Sequence, residues 1–419
     1  METYRVGGSV RDELLGRPVA DRDWVVVGAT PEAMIAAGYK PVGRDFPVFL
    51  HPVTREEYAL ARTERKSGRG YRGFVFVAAP DVTLLQDLAR RDLTINAMAR
   101  ADDGTLIDPF GGAADLAAGV LRHVSPAFAE DPLRVLRVAR FAARFGFAVV
   151  PETMALMRML VEEGELAELS PERVWQELAR GLMEPQPSRM LAVLRDCGAL
   201  AAVLPEVDAL YGRAAPGAPR TGAGVRVEQA LDCAAARGVP LAARYAVLAM
   251  DLGAGAGGAA APAREARGED VPAPRGHAAR SARLADRVSA RLRAPVDCRD
   301  AARLAARWHG AVGRASELRP ARLLDLIGAA DALRRPERLD VLLAACEADA
   351  LSGDCRADAR YAPAAIVRDA LAVVRAVRVA AVAREAQRRR QAGGDAVAAA
   401  IRAARLSALR AWRRGGQIR

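Results

Sequence analysis

The first 27 residues carry the pattern that most constrains what this chain can fold into. A short apolar strand leads into residues 7–9 (GGS), a short helix follows, and Asp21 and Asp23 come directly before the apolar run at 24–27 (WVVV). Glycines ahead of a helix let the backbone approach a bulky group, and the free N–H groups of a helix N-terminus attract anions. This order predicts a phosphate-binding turn beside a carboxylate pair.

The two carboxylates indicate the chemistry. Asp21 and Asp23 are two residues apart at the edge of a predicted strand, so alternation directs both side chains to one face. Adjacent carboxylates repel each other unless a cation lies between them, and Mg²⁺ is the cation usually held by one or two carboxylates together with substrate phosphates. Ser9 is predicted to cap the short helix. Alone, a glycine pair is usually a turn and Asp-x-Asp a solvated strand end. Together they predict a metal-dependent phosphoryl- or nucleotidyl-transfer site.

Length and charge limit the architecture and the partners. A chain of 419 residues is too long for one ordinary core, so we expect two to four domains. The formal charge of +11 and the isoelectric point near 10.0 suit a polyanionic partner, nucleic acid before membrane. The excess comes from arginine, which a GC-rich genome also produces, so charge alone supports nucleic-acid binding only weakly.

The cysteines and the apolar segments indicate a compartment. The five cysteines are scattered, odd in number and without a C-x-x-C pair, which favours a reducing compartment and argues against a cysteine-bound zinc. The sequence has no signal-peptide pattern and no run of 18 apolar residues, so we expect a cytoplasmic protein with no membrane partner.

Hydrophobic periodicity divides the chain into a mixed part and a helical part. Up to about residue 125, strands are predicted at 24–27, 48–51, 57–61, 74–77 and 105–107, with helices at 31–37, 83–89 and from 115. Helical patterns follow to the end, interrupted by glycine- and proline-rich stretches at 213–224 and 253–276 that we interpret as linkers or loops. The basic, glycine-rich segment at 62–73 is either a loop that closes over triphosphate or RNA, or a charged hairpin.

Two further segments carry candidate binding residues. In RRDLTINAMA (90–99), Arg91 can pair with a phosphate and Asp92 can accept a hydrogen bond from a ribose hydroxyl, although a helix salt bridge explains both equally well. In the helix predicted to begin at 130–132, four arginines at 134, 137, 140 and 144 lie within about a third of the circumference. Such a row needs anions, which are either acidic neighbours or phosphates and bases.

The segments GGSVRDELLG, DRDW, RRDLTINA, DPFGG and EDPLRVLRVARFAARFGF, in this order and spacing, resemble those of the bacterial class II CCA-adding enzymes. These are tRNA nucleotidyltransferases of the DNA polymerase β-like superfamily. The resemblance covers the chain to about Tyr211 and is closest to the proteobacterial type in which an HD phosphohydrolase domain follows.

The resemblance implies an α+β fold: a nucleotidyltransferase head with a small mixed sheet, followed by all-α neck, body and tail. The domains expected are a catalytic head (1–125), a helical neck and body (126–212), a degenerate HD-like domain (225–350) and a basic tail (351–419). It also implies addition of C, C and A to the 3′ end of tRNA from CTP and ATP, through two Mg²⁺ ions and without an organic cofactor.

The same resemblance assigns roles to residues. Asp21 and Asp23 match the metal-binding pair. The matches to nucleotide contacts are Gly8 and Arg11 for the triphosphate, Arg91, Asp92 and Asn96 for ribose and phosphate, Asp131 and Arg134 for the incoming base, and Arg137 and Arg140 on the same helix.

The second half departs from the family pattern. Asp251, His277 and His309 remain, but Met250 and Arg226 stand where the resemblance implies histidine ligands. Three ligands are too few for the usual Ni²⁺- or Mn²⁺-dependent site. We therefore expect a helical domain that keeps its fold and has lost or weakened phosphodiesterase and phosphatase activity.

Two other functions compete with CCA addition. A bacterial poly(A) polymerase shares the head motifs, although residues 43–51 (GRDFPVFLH) look like the CCA type and the basic terminal extension is modest. The second competing function is that of a catalytically inactive RNA-binding relative. The intact Asp21 and Asp23 argue against it.

Overall fold

The computed structural model describes residues 1–19, 21–42, 48–66, 74–212, 214–215, 218–255, 276–356, 358–388 and 394–415. The chain forms two compact units, Met1–Val203 and Leu204–Arg419. The glycine-rich part of the predicted loop, 67–73, and most of the second predicted linker lie outside the described residues. The four domain ranges expected from the sequence remain predictions.

The first unit contains a mixed sheet and a set of helices. Its strands are β1 (Glu2–Val6), β2 (Asp23–Val27), β3 (Lys40–Val42), β4 (Val48–Leu50), β5 (Glu57–Leu60), β6 (Arg62–Lys66), β7 (Phe74–Ala78), β8 (Ala99–Arg100), β9 (Leu106–Ile107), β10 (Val120–Leu121) and β11 (Ala148–Val149). Its helices are α1 (Gly8–Leu14), α2 (Pro31–Ala36), α3 (Leu84–Ala89), α4 (Gly112–Ala118), α5 (Leu133–Phe145), α6 (Pro151–Glu162), α7 (Pro171–Met183), α8 (Pro187–Asp196) and α9 (Ala199–Val203).

The main sheet has the strand order β3-β4-β5-β2-β1-β8-β9. β2 pairs antiparallel with β1 and parallel with β5, and the other neighbours are antiparallel. This is the small mixed sheet expected from the sequence. β2 is central, so its first residue, Asp23, is fixed by strand pairing on both sides.

Alternation along β2 produces two cores. Val25 packs with Leu88 and Ala97 on one face of the sheet, whereas Val26 packs with Met34 and Phe49 on the other. Apolar residues on both faces explain the continuous WVVV run, because a strand covered on both sides does not alternate with polar residues.

The start of α1 differs from the expectation. The N-cap is Gly7 with φ of 68°, and Ser9 lies inside the helix, where its hydroxyl donates to the Val6 carbonyl at 3.0 Å. The prediction that Ser9 caps this helix was wrong. The positive φ at Gly7 turns the chain from β1 into α1 within one residue, so no side-chain cap precedes the helix.

The later helices of the first unit follow the sequence signals. α5 begins after a 3₁₀ turn at Pro126–Glu130 and ends at Gly146, which adopts the left-handed conformation with φ of 75°. Such a glycine is a common helix terminator. α7 begins with proline at its first position, as the Ser-Pro-Glu pattern predicts.

The second unit is helical. It contains a hairpin of β12 (Ala214–Ala215) and β13 (Ala218–Gly222), and the helices α10 (Pro205–Asp208), α11 (Ala223–Ala236), α12 (Leu241–Ala249), α13 (Leu252–Gly255), α14 (His277–Arg291), α15 (Val296–Gly313), α16 (Pro320–Ala329), α17 (Pro336–Ala350), α18 (Ala362–Arg375), α19 (Val379–Arg388) and α20 (Gly394–Gly415).

Two features of this unit depart from the sequence analysis. The stretch 213–224, interpreted as a linker, contains the described strands of the hairpin and the start of α11. Cys233 and Cys355 form a disulfide, which their scattered positions did not predict. Cys197, Cys298 and Cys346 are buried free thiols. Within the described ranges, no helix has both the length and the hydrophobicity needed to cross a bilayer.

We predict that Gly112→Ala destabilises the first unit by about 1–3 kcal/mol. A Cβ at this first residue of α4 would lie 2.2 Å from the carbonyl oxygen of Thr94, a backbone atom that cannot rotate away. Denaturant unfolding followed by circular dichroism measures the loss. Gly310→Ala is the control. It lies within α15 with open space around the new methyl group, and we expect it to stabilise by about 0.5–1 kcal/mol. Equal midpoints for the two variants would contradict the proposed close contact.

Candidate functional site

A cavity of about 600 Å³ in the first unit brings the predicted residues together. Its walls come from the β1–α1 turn, the start of β2, the segment around the 3₁₀ turn Thr94–Asn96, and the face of α5 that carries the arginine row. The predicted residues that line it are Gly8, Arg11, Asp23, Arg91, Asp92, Asn96, Asp131, Arg134, Arg137 and Arg140. Asp21 lies two residues before Asp23 and is not among the residues that line the cavity.

Asp23 has the environment expected of a cation ligand. Its side chain lines the cavity, yet the surrounding protein desolvates it and thereby raises the pKa of the carboxyl. The charge of Arg91 lowers this pKa, and the nearby charge of Asp21 raises it. Among the described residues, no side chain forms a hydrogen bond or ion pair with either carboxylate. Two unpaired hard-oxygen ligands beside a cavity fit a divalent cation.

Arg91 is held rigidly beside this pair. Its guanidinium donates to Asp87 Oδ2 at 3.1 Å and to the carbonyl oxygen of Asn96 at 3.3 Å. A Cβ at Gly7 would lie 2.7 Å from Arg91 Nη1. The first glycine of the motif therefore makes room for an arginine, in addition to allowing the turn.

Asp87 holds two arginines at once. This residue of α3 is fully buried, and its other oxygen accepts a hydrogen bond from Arg90 Nη2 at 2.6 Å. Burial alone would raise the pKa of Asp87, but the adjacent guanidinium groups of Arg91 and Arg90 bring it below its usual value. The sequence analysis missed Asp87, although its position three and four residues before the arginine pair was a visible signal.

Arg11 is buried at 3 % exposure and makes contacts on several sides. Its Nη1 donates to Asn96 Oδ1 at 2.5 Å and its Nε to Asp12 Oδ1 at 2.8 Å. The guanidinium also lies 4.9 Å from the ring centroid of Phe145 on α5, within cation–π distance. These contacts fix the cation on the cavity wall.

Asp92 connects several residues of the cavity wall through hydrogen bonds. Its Oδ1 accepts from the Leu93 N–H at 2.8 Å and from the Asn96 amide at 2.9 Å, and its Oδ2 accepts from Arg137 Nε at 2.8 Å. Burial would raise the pKa of Asp92, but Arg137 and Asn96 hold it far below its ordinary value. The carboxylate is therefore ionised at all physiological pH values.

Asp131 and Arg134 have protein partners in this structure. Asp131 accepts from Arg173 on α7 at 2.8 Å, and Arg134 donates to the carbonyl oxygens of Ala127 and Arg90 at 2.7 and 2.6 Å. These bonds fix both side chains on the cavity wall. Their roles in base recognition remain predictions.

The arginine row of α5 has acidic neighbours from distant elements. Arg140 donates to Glu177 of α7 at 2.6 Å, and Arg144 donates to Asp12 of α1 at 2.9 Å. Glu177 is buried at 3 % exposure. Of the two sources of anions that the sequence allowed, acidic neighbours satisfy much of the row. Glu177 was missed because nothing local to α7 indicates that its carboxylate faces α5.

The second unit gathers Asp251, His277 and His309. Asp251 Oδ1 lies 2.8 Å from His277 Nε2 and 3.3 Å from His309 Nε2, and the candidate ligand atoms all lie within 4.8 Å of one another. Burial would raise the pKa of Asp251, but its hydrogen bonds to both imidazoles keep it well below the usual value. Met250 is buried beside this group, and Arg226 pairs with Asp349 of α17.

Comparisons with known proteins agree with this architecture. Residues 3–122 match the family model described as Poly A polymerase head domain, and residues 146–211 match the one described as Probable RNA and SrmB- binding site of polymerase A. The crystal structure of the Bacillus stearothermophilus CCA-adding enzyme in complex with CTP is 25 % identical, with a TM-score of 0.56 over 89 % of this chain and 78 % of that one. A structure described as the complex of CCA-adding enzyme with CTP has the same fold, with a TM-score of 0.62 over 97 % of this chain and 87 % of the other at 23 % identity.

The sheet, the carboxylate pair and the head-domain match define a nucleotidyltransferase. The relative from Azoarcus sp. (strain BH72), named Multifunctional CCA protein, is 56 % identical over 416 residues, which are 99 % of this chain and 98 % of the relative. A relative of the same name from Laribacter hongkongensis (strain HLHK9) is 53 % identical and covers 99 % of both chains. The chain belongs to the family of multifunctional CCA proteins. Membership of a nucleotidyltransferase family implies a divalent metal in the reaction.

We predict that Asp87→Asn lowers the free energy of unfolding by about 3 kcal/mol, because it leaves two partly buried arginines without their counter-charge. Chemical denaturation measures the change. Glu13→Gln is a matched control, since Glu13 also pairs with two arginines, Arg5 and Arg100, but is partly exposed. We expect the control to change stability by less than about 1 kcal/mol. An Asp87→Asn variant as stable as the control would show that Asp87 does not anchor the pair.

We predict that Asp23→Asn raises the thermal midpoint at neutral pH slightly, on the order of 1 °C, although it should abolish activity. The pKa of Asp23 is raised in the folded state, so wild-type stability falls as pH rises through that pKa, and the amide removes this loss. The advantage of the variant should therefore disappear at acidic pH. Asp103→Asn is the control. The backbone N–H of Thr105 lowers the pKa of the Asp103 carboxyl, so we expect no rise in the thermal midpoint of this variant. A lower midpoint for Asp23→Asn would contradict this account.

Proposed function

We propose that this chain adds C, C and A to the 3′ end of tRNA, using CTP and ATP and releasing pyrophosphate. The observation that carries the proposal is Asp23 in the wall of a cavity that also contains the fixed cations Arg11 and Arg91, with Asp21 two residues before it; both carboxylates are unpaired among the described side chains. Relatives that span nearly the whole chain are named Multifunctional CCA protein, and this supports tRNA as the acceptor.

Asp21 and Asp23 would hold Mg²⁺. When bound, Mg²⁺ lowers the pKa of the attacking 3′ hydroxyl and neutralises charge on the departing pyrophosphate. The two carboxylates would determine the position of the cation, and the central position of β2 fixes Asp23. Mg²⁺ is favoured because a small hard cation suits two carboxylates and the oxygens of a triphosphate.

The remaining residues bind and orient the nucleotide. Arg11 and Arg91 would offer positive charge to the triphosphate next to Gly8, which also lines the cavity. Asp92 and Asn96 hold the wall at which the ribose would lie. These contacts would place the α-phosphorus in line with the tRNA hydroxyl, which is how positioning accelerates nucleotidyl transfer.

Base selection would fall to Asp131 and Arg134. A carboxylate and a guanidinium on one helix edge present acceptor and donor groups that can complement those shared by cytosine and adenine. The bonds from Arg173 to Asp131 and from Arg134 to two carbonyl oxygens support this role, because a selective site needs side chains that are already fixed.

The decisive experiment is incorporation of labelled nucleotides into tRNA that lacks its terminal CCA. With CTP alone we expect two cytidines, with ATP alone almost no addition, and with both nucleotides a complete end. A poly(A) polymerase would instead extend with ATP alone and produce long tails. That result would replace our proposal with the alternative that shares the same head domain.

We predict that Asp21→Ala and Asp23→Ala each reduce incorporation at least about 1,000-fold, because the site then lacks a metal ligand. Asp103→Ala is the matched control, since Asp103 is an exposed carboxylate of the same unit away from the cavity lining, and we expect it to keep wild-type rates. Undiminished incorporation by Asp21→Ala, with folding shown by circular dichroism, would refute the mechanism and favour a role for another carboxylate.

A further inference from the structure

Arg226 of α11 makes a two-point contact in the helical unit. Its Nε donates to Asp349 Oδ1 at 2.9 Å and its Nη2 donates to Asp349 Oδ2 at 2.7 Å. This is the bidentate geometry in which a guanidinium binds a carboxylate most strongly. Both side chains are largely covered, with 29 % and 13 % of their surfaces exposed, so water screens the pair less than a surface ion pair.

The pair lies on helices that pack against those leading to the cluster formed by Asp251, His277 and His309: α11 packs against α12, which ends just before Asp251, and α17 packs against α15, which carries His309. The hydrogen bond that Arg226 donates to Asp349 raises the pKa of Arg226, burial opposes this shift, and the charges of Asp349 and Asp251 add to it. The charge of Asp349 also acts on His309. Arg226 thus binds Asp349 directly, and Asp251, which contacts both imidazoles, follows α12, a helix that packs against α11.

This set of groups suits a divalent metal poorly. The cluster offers three ligand atoms, and Asp349, the carboxylate that would extend it, has both oxygens engaged by Arg226. A guanidinium keeps its charge at any physiological pH and repels a second cation nearby. Met250, buried next to Asp251, adds only a thioether, a poor ligand for the harder divalent metals.

We propose that Arg226 is a resident cation that takes the place of a metal ion in this unit. It binds Asp349 directly and supplies positive charge near Asp251. The ion pair joins α11 to α17 without a metal, beside the separate contacts of Asp251 with His277 and His309. The site is structural, and it is independent of nucleotidyl transfer.

The first test uses the full-length wild-type protein after treatment with a chelator. Thermal unfolding is followed with and without Ni²⁺ or Mn²⁺, and the metal content is measured after gel filtration. We expect no shift in midpoint and far less than one metal per chain. One equivalent of metal with a raised midpoint, both lost in His277→Ala, would overturn the proposal.

The second test restores imidazoles. The double variant Arg226→His, Met250→His removes the cation, frees Asp349 and adds two ligands. We expect it to bind about one Ni²⁺ or Mn²⁺ per chain and to gain about 5 °C or more in midpoint with excess metal. The matched control is Arg237→His, because Arg237, the residue directly after α11, pairs with Glu347 of α17 and is not part of the cluster.

The control should lose a little stability and gain no response to metal. A folded double variant that does not bind metal would show that Arg226 is not what excludes it, and would overturn the proposal. If the double variant does not fold, the single variant Met250→His is the test. Because it keeps Arg226, we expect that added metal does not change its thermal midpoint. A rise of about 5 °C would contradict the proposal. Incorporation of CTP and ATP should be unchanged in every folded variant.

Discussion

The buried carboxylate of Asp92 is the constraint on which the candidate site depends. It joins three parts of the first unit, because it accepts hydrogen bonds from its own turn, from Asn96 and from Arg137 of α5. Asn96 in turn receives Arg11 of α1. One ionised group thus connects the helix after the glycine turn with the helix that carries the arginine row. Its full burial makes each of these bonds costly to leave unmade. The walls of the cavity are consequently set in one arrangement before any nucleotide arrives.

Local chemistry explains how much of this could be predicted from the sequence. The glycine turn, the carboxylate pair and the central strand all follow from short-range patterns, and the fold confirms the mixed sheet followed by helices. The partners of the arginine row could not be predicted. Arg140 and Arg144 bind carboxylates that are 37 and 132 residues away, and helical periodicity identifies a face without identifying what packs against it. The cap of α1 was also predicted wrongly: the helix is preceded by Gly7 at a positive φ, and the guanidinium of Arg91, which occupies the space beside this glycine, comes from a distant part of the sequence.

The helical unit shows the same limit. Asp251, His277 and His309 were recognised from the sequence, and the fold brings them together. Arg226 appeared only as a residue of the wrong type at a ligand position, and Asp349 was not considered. Their pairing becomes visible only when α11 and α17 are packed side by side. A substitution that removes a metal ligand can therefore introduce a new ion pair instead. The partner residue is distant in the sequence and is found only in the folded structure.

The two carboxylates of the proposed metal pair differ in how the backbone holds them. Asp23 begins the central strand, whose alternate side chains enter two separate cores, so moving it would disturb both faces of the sheet. Asp21 precedes the strand and lacks that support. Strand pairing thus anchors Asp23 alone. In the proposed site, the sheet itself would therefore supply the fixed reference point from which the reacting atoms are aligned.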